Sequence, residues 1–172
     1  MMNNFLIISN KAFQFLVDEF SFVVIKTESD PYGTQILYQN STTAVRIRFE
    51  HRENKLFVLL MRLINGKLPE YPIFIKSDTI INSFYLDDII DFYLQVSQNQ
   101  EKINCNCPNN CELESIVLWS AASLKQFGRD ILLGDFSTSP ELQNIVLQRA
   151  TQLEEERRNG PRPLRDTHSI TK

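Results

Sequence analysis

The chain has 172 residues and a mass of 20.0 kDa, which is enough for one domain of ordinary size and too little for two. Hydrophobic residues make up 42% and charged residues 23%, which excludes an intrinsically disordered chain. The formal net charge of -3 and the pI near 5.4 are opposite to the basic bias of most nucleic-acid-binding domains. We therefore expect a globular domain that does not bind nucleic acid.

The first half of the chain predicts one helix followed by an antiparallel sheet. Ser9 or Asn10 is a typical helix cap, and apolar side chains then recur at helical spacing up to Phe20. Runs rich in β-branched and aromatic residues, separated by turn residues such as Asp30-Pro31-Tyr32-Gly33, indicate about four strands. These runs are 22–27, 35–39, 44–51 and 56–63. The last run is apolar on both faces, as in a central strand that is covered on each side.

The second half of the chain predicts helices. An apolar stripe at helical spacing begins at Leu86, a second helix begins at Leu113, and Ser139-Pro140 is a start signal for a third. The fold class is therefore α+β, with an N-terminal helix, an antiparallel meander of about four strands, and C-terminal helices packed on one face of the sheet. A single domain is expected over 1–158, with a polar loop insertion at 95–112 and a mobile C-terminal tail at 159–172.

Targeting signals are weak in this sequence. The N-terminal apolar run is four residues, against roughly 7–15 for the apolar region of a signal peptide. No segment approaches the roughly 18 apolar residues of a membrane span. The odd number of cysteines argues against a disulfide framework. We expect a cytoplasmic protein without a membrane partner.

Three clustered cysteines are the first candidate for chemistry. Cys105, Cys107 and Cys111 could bind zinc or copper(I) as thiolates. A closed zinc site needs four ligands, however, and only the last two cysteines have the usual spacing. A metal shared between chains is the least strained form of this hypothesis. The favoured interpretation is a loop insertion with incidental thiols, so no cofactor is predicted.

A histidine is the second candidate. His51 is the last residue of a predicted strand and could serve as a general base. No metal-binding or catalytic pair supports this role, and the other histidine, His168, is far away in the sequence. A solvated turn residue is the simpler interpretation. The sequence also contains no nucleophile elbow and no phosphate-binding glycine loop. We therefore predict a protein that is not an enzyme.

Two charged clusters are the candidate binding surfaces. Arg46 and Arg48 project from one face of a strand, and Arg52 joins them if the strand continues that far. Such a row can bind phosphate or an acidic protein surface, although a solvated strand face also explains it. Acidic residues cluster at the start of a helix, where they can hold a cation or a partner, although the helix dipole and solvation favour them there anyway. They are Asp87, Asp88 and Asp91.

Two stretches carry a family resemblance. The first is Phe13-Gln14-Phe15-Leu16-Val17-Asp18-Glu19-Phe20-Ser21-Phe22, followed by Tyr38-Gln39-Asn40, the Val45-Arg46-Ile47 alternation and Arg52. The second is Leu124 through Phe127, Ile131-Leu132-Leu133-Gly134-Asp135-Phe136-Ser137, and the helix to Arg149. About half of the chain resembles small, mostly uncharacterised bacterial α+β proteins, some of them encoded beside polymorphic or contact-dependent toxins and suspected to be immunity proteins. The cysteine tract departs from this pattern. The resemblance implies a non-catalytic protein-binding module that neutralises a cognate toxin, in which Gly134 caps a helix and Phe136 follows as a core residue.

A second function from another class is also open. The last predicted helix has apolar residues that could pack against a second copy of the chain, namely Leu142, Ile145, Val146 and Leu153. The alternative is therefore a homo-oligomeric structural or adaptor protein. The partner in the two hypotheses is either another protein, such as a toxin, or the chain itself.

Overall fold

The computed structural model describes residues 2–70, 79–96 and 112–159. Helices and strands are segregated along the chain as the sequence predicts, with one helical region before the sheet and the other helices after it. The elements are α1 (Met2–Ala12), α2 (Gln14–Phe20), β1 (Val23–Ser29), β2 (Gly33–Gln39), β3 (Thr43–Glu50), β4 (Lys55–Arg62), β5 (Ser83–Tyr85), α3 (Leu86–Val96), α4 (Leu113–Phe127), α5 (Arg129–Leu132) and α6 (Ser139–Asn159).

The sheet is an antiparallel meander in the order β1-β2-β3-β4-β5. It contains five strands instead of about four, because the short strand β5 pairs with residues 59–61 of β4. Three residues are too few to show an alternating pattern, so no local pattern predicts β5. The meander and the α+β fold class are confirmed.

The helices cover one face of the sheet, which we call the inner face. Inner-face side chains such as Ile47 and Leu60 are fully buried in one cluster with residues from the helices, including Phe5, Leu124 and Leu142. Burial of this apolar area is the main favourable term that joins the two layers. The opposite face, which we call the outer face, carries a smaller buried cluster of Leu37, Ala44, Leu59, Met61 and Leu63. Strand β4 is thus apolar on both faces, as expected for a central strand.

The N-terminal helix begins earlier than the sequence analysis expects. Ser9 does not cap a helix but lies inside α1 and is fully buried. The side chains of Phe5, Ser9 and Phe13 recur every four residues, so they fall on the single face that contacts the core. The chain leaves helical geometry at Phe13, where α1 ends and α2 follows after one residue.

The predicted loop and tail boundaries also shift. Gln95 and Val96 belong to α3, and Glu112 is the residue before α4, so the helices extend into both ends of the expected 95–112 insertion. Asn159, the first residue of the expected tail, ends α6. Residues 97–111 and 160–172 lie outside the described residues, and so do the three cysteines and His168.

The turn between β2 and β3 connects the sheet to α5. Asn40 Oδ1 accepts hydrogen bonds from the backbone N–H groups of Thr42 and Thr43. The Asn40 side-chain amide donates to the Leu132 carbonyl at 3.2 Å, and the Thr43 hydroxyl donates to the Ile131 carbonyl at 2.9 Å. Gly134, which follows α5, has φ +87 and packs against Thr42. The expectation that Gly134 ends a helix is confirmed.

Candidate functional site

The outer face of β3 places two of the predicted site residues side by side. Val45, Ile47 and Phe49 are buried on the inner face, so the intervening Arg46 and Arg48 project from the outer face. Both arginines are partly buried. The half-buried strand with one basic face that the sequence predicts is therefore present.

A shallow depression of about 200 Å³ lies around these arginines. Its walls come from three adjacent strands, because Arg46 is opposite Leu59 and Leu59 is opposite Tyr85. The rings of Phe57 and Tyr85 are 6.2 Å apart in an edge-to-face arrangement and form the apolar side. Glu50 completes the lining. The depression thus combines guanidinium groups with an aromatic wall.

Arg48 is held by acidic neighbours within the chain. Its guanidinium lies 3.2 Å from Asp30 Oδ2 and 3.7 Å from Glu50 Oε1. The pKa of Asp30 is lowered, first by the hydrogen bonds that Oδ1 accepts from the backbone N–H groups of Tyr32 and Gly33, and then by Arg48. The Arg48 charge is therefore partly neutralised inside the molecule, and this side chain is fixed in place.

Arg46 has a different environment. It lies directly opposite Leu37 on β2 and Leu59 on β4, so its aliphatic stem is flanked by apolar residues. No side chain in the described part of the chain forms an ion pair with it. Besides the hydrogen bond from Lys26, which is the largest cause, the charge of Arg46 helps to lower the pKa of Glu28, so an acidic neighbour lies within electrostatic range of Arg46 without forming a direct ion pair. A guanidinium with apolar flanks and no direct ion pair within the described residues is suited to bind a carboxylate or a phosphate of a ligand. Arg46 is therefore the central residue of the candidate site.

Two other predicted residues lie outside this depression. Arg52 is in the turn between β3 and β4, exposed to solvent, and is not part of the lining. His51 is in the same turn, where Nε2 is 3.2 Å from the Thr34 hydroxyl and the ring contacts Phe49. The strand ends at Glu50, so the arginine row does not continue to Arg52.

The predicted acidic cluster is largely used within the fold. Asp88 on α3 is 3% exposed and forms an ion pair with the guanidinium of Arg149 on α6. The Arg149 guanidinium also lies 2.7 Å from Asp91 Oδ2. Burial raises the pKa of Asp88, and the nearby Arg149 charge only partly offsets this effect. Asp87 stays exposed. The sequence analysis missed Arg149 because its partner lies 61 residues away and no local pattern connects them.

Two further features, a metal-binding cluster and a membrane-spanning helix, are absent from the described residues. Residues 2–70, 79–96 and 112–159 contain no group of three or more His, Cys, Asp or Glu side chains that could hold a metal ion. In the same ranges, the helices are all too short or too polar to cross a bilayer. The metal hypothesis for Cys105, Cys107 and Cys111 concerns residues outside these ranges and stays a prediction.

The fold and the site define a class: an α+β protein with a five-stranded meander, helices on one face, and a depression with guanidinium and aromatic walls on the other. Comparison with family models, curated proteins and solved structures found no match. The resemblance to suspected immunity proteins therefore stays a prediction that these comparisons do not test.

Proposed function

We propose that the protein is a non-catalytic protein-binding module whose outer sheet face binds an acidic segment of another protein. The observation that carries this proposal is Arg46, a partly buried guanidinium that has no ion-pair partner in the described residues. A half-buried cation without a direct ion pair is only partly compensated for its lost hydration, and a carboxylate supplied by a partner improves that compensation. An acidic ligand therefore binds more favourably at Arg46 than at a fully solvated arginine.

The surroundings of Arg46 favour a protein as the ligand. Most of the site is built on β3 and β4, which are paired on both sides, so little conformational entropy is lost when a ligand binds. Arginine and tyrosine are enriched at protein interfaces, and Tyr85 is 37% exposed next to the guanidinium. An acidic side chain next to an apolar one matches the charged and the aromatic walls of the depression.

The family resemblance suggests a specific form of this function. An immunity protein would act in the cytoplasm of a bacterium and neutralise a cognate toxin by binding it. Charge complementarity between the two proteins would give fast association, which an inhibitor of a toxin needs. An acidic segment on the toxin surface is then the expected counterpart of Arg46.

The alternative, a homo-oligomer that associates through α6, receives less support from that helix. Leu142 is fully buried in the core, and Ile145 and Val146 are partly buried. Of the four apolar residues considered for such an interface, Leu153 has the largest exposed fraction, at 52%. Most of this apolar stripe therefore packs within the chain itself.

The test is affinity capture of the tagged protein from lysate of its own cells, followed by mass spectrometry. We expect one stoichiometric partner, and we expect Arg46→Glu to reduce its retention about tenfold or more, because the substitution places a like charge opposite the acidic ligand. Raising the salt concentration should weaken retention by the wild type. Co-expression should suppress the toxicity of the partner if the partner is a toxin.

Lys11→Glu is the matched control. It makes the same change of charge at an exposed position of α1, in the helical layer. We expect it to retain the partner like the wild type. Equal retention by the Arg46→Glu variant, or recovery of the bait alone, would rule out the proposed binding face.

A further inference from the structure

The edge strand β1 is exposed on both faces along its whole length. It pairs with β2 on one side, and on its other side no strand of the described residues pairs with it. An edge of this length, with unpaired backbone groups, is a template for adding a further strand. We infer that two copies of this chain associate through antiparallel pairing of their β1 strands, about a two-fold axis at Thr27. The inference does not depend on the proposed function.

The backbone geometry identifies the residues that would pair. The Asp30 N–H donates to the Gly33 carbonyl at 2.9 Å, which fixes the alternation of the β1–β2 ladder. Because hydrogen-bonded and non-hydrogen-bonded pairs alternate along an antiparallel ladder, Thr27 and Ser29 direct their backbone groups away from β2. A Thr27 on the axis can therefore exchange both backbone hydrogen bonds with Thr27 of the second copy. The two five-stranded sheets would become one continuous sheet.

The charges on β1 are self-complementary in this register. Lys26 and Glu28 lie one residue on either side of Thr27, and both are on the outer face, since they are opposite Leu37 and Gln35. Antiparallel pairing about Thr27 places each Lys26 opposite Glu28 of the second copy, twice per interface. Parallel pairing in register would place like charges opposite each other. Within one chain the two side chains already form an ion pair at 2.5 Å, so the dimer would contain a network of four charges.

The apolar ends of the strand also match in this arrangement. Val23, Val24 and Ile25 are exposed at the start of β1, and Tyr32, just beyond its end, is 73% exposed. Antiparallel pairing brings the start of one strand beside the end of the other, so each copy covers exposed apolar side chains of its partner. The β-bulge between Val24 and Lys26 limits regular symmetric pairing to residues 26–28, which favours this single register and a reversible, weak dimer.

The test is sedimentation of the full chain across a concentration series from micromolar upwards. We expect a monomer–dimer equilibrium for the wild type. Lys26→Glu should raise the dissociation constant about tenfold or more, because it replaces two attractive cross-strand pairs by repulsive ones. The double variant Lys26→Glu/Glu28→Lys restores opposite charges across the axis, and it should therefore restore the dimer.

Thr27→Pro tests the backbone pairing independently. Proline removes an N–H that points to the open edge, so the pairing of β1 with β2 keeps its hydrogen bonds while the dimer loses two of its own. Far-UV circular dichroism checks that each variant is folded, and the charge variants decide the question if the proline variant is not. A wild type that stays monomeric, a dimer that survives Lys26→Glu, or a double variant that fails to dimerise would each overturn the inference. Lys11→Glu, which makes the same change of charge in α1 and not in the edge strand, should leave the dimer intact.

Discussion

Gly134, which lies in the second stretch that carries the family resemblance, has a left-handed backbone conformation whose contribution to stability can be measured. Gly134 has φ +87, and a Cβ atom there would lie 2.7 Å from the Thr42 hydroxyl oxygen. Gly66 has φ +73, but a Cβ atom there would have nothing within 4 Å. We expect Gly134→Ala to lower the free energy of unfolding by about 2–4 kcal/mol, since steric overlap adds to the left-handed strain, and Gly66→Ala by about 1–2 kcal/mol from the strain alone. Urea denaturation measures both, and equal losses would show that Thr42 yields without cost.

Arg46 and Arg48 show which features of the site can be predicted from the sequence and which cannot. The alternation in β3 predicts that Arg46 and Arg48 share a face, because side chains alternate strictly along a strand. The alternation does not predict that Arg48 forms ion pairs while Arg46 forms none with the described residues. Arg48 is paired because the turn places Asp30 within 3.2 Å of it, whereas Arg46 lies between two leucines. That difference depends on cross-strand register, and register depends on turn geometry and on the packing of the whole sheet.

Between the elements, the guanidinium of Arg149 on α6 forms ion pairs with two carboxylates of α3. Arg149→Met would leave the Asp88 carboxylate buried without its partner. We expect the free energy of unfolding to fall by about 2 kcal/mol at neutral pH, less than for a fully buried pair because the Arg149 side chain is 43% exposed. The double variant Asp88→Asn/Arg149→Met removes the buried charge as well, and should recover part of this loss.

The same pair predicts a dependence on pH. Because burial raises the pKa of Asp88 above its ordinary value of 3.8, the folded state binds a proton more readily than the unfolded state. The contribution of Asp88 to stability is therefore largest at low pH and falls as the pH rises through its folded pKa. Removing Arg149 makes the ionised form costlier, so the deficit of Arg149→Met should shrink as Asp88 is protonated. Urea denaturation at neutral pH and near 3.8 tests this, and a deficit that is constant with pH would contradict it.

The elements were predictable in proportion to their length and regularity. The turns at Asp30 and Asn40, and the long helices α3 and α4, follow from local patterns of capping, turn and apolar residues. Strand β5 could not be predicted, because three residues carry no period and its place beside β4 is set by tertiary pairing. The start of α1 was missed because Ser9 is a good cap in isolation, whereas here it packs in the core. Phe57 and Tyr85 could not be predicted as site residues for a similar reason, because they become neighbours only in the folded sheet.

For the whole molecule, one apolar cluster connects the layers. It contains Phe5 from α1, Ile47 from the sheet and Leu142 from α6, so neither layer keeps its buried surface if the other unfolds. Small proteins with a continuous core of this kind unfold in one cooperative step. Trp119, the one tryptophan of the chain, is partly buried against this cluster and reports on its packing. Far-UV circular dichroism reports on the helices and the sheet together.

We therefore expect both signals to change at the same urea concentration, and a core substitution to shift both equally. Leu124→Ala removes a fully buried side chain of α4 and should cost about 2–5 kcal/mol in the free energy of unfolding. Leu118→Ala changes the same helix at a position that is 51% exposed, and should cost only about 0.5 kcal/mol. If the fluorescence and circular dichroism midpoints of Leu124→Ala no longer coincide, then the two layers unfold separately. The sheet would then have to be stable on its outer cluster alone, which contains five buried residues and is too small to stabilise a domain.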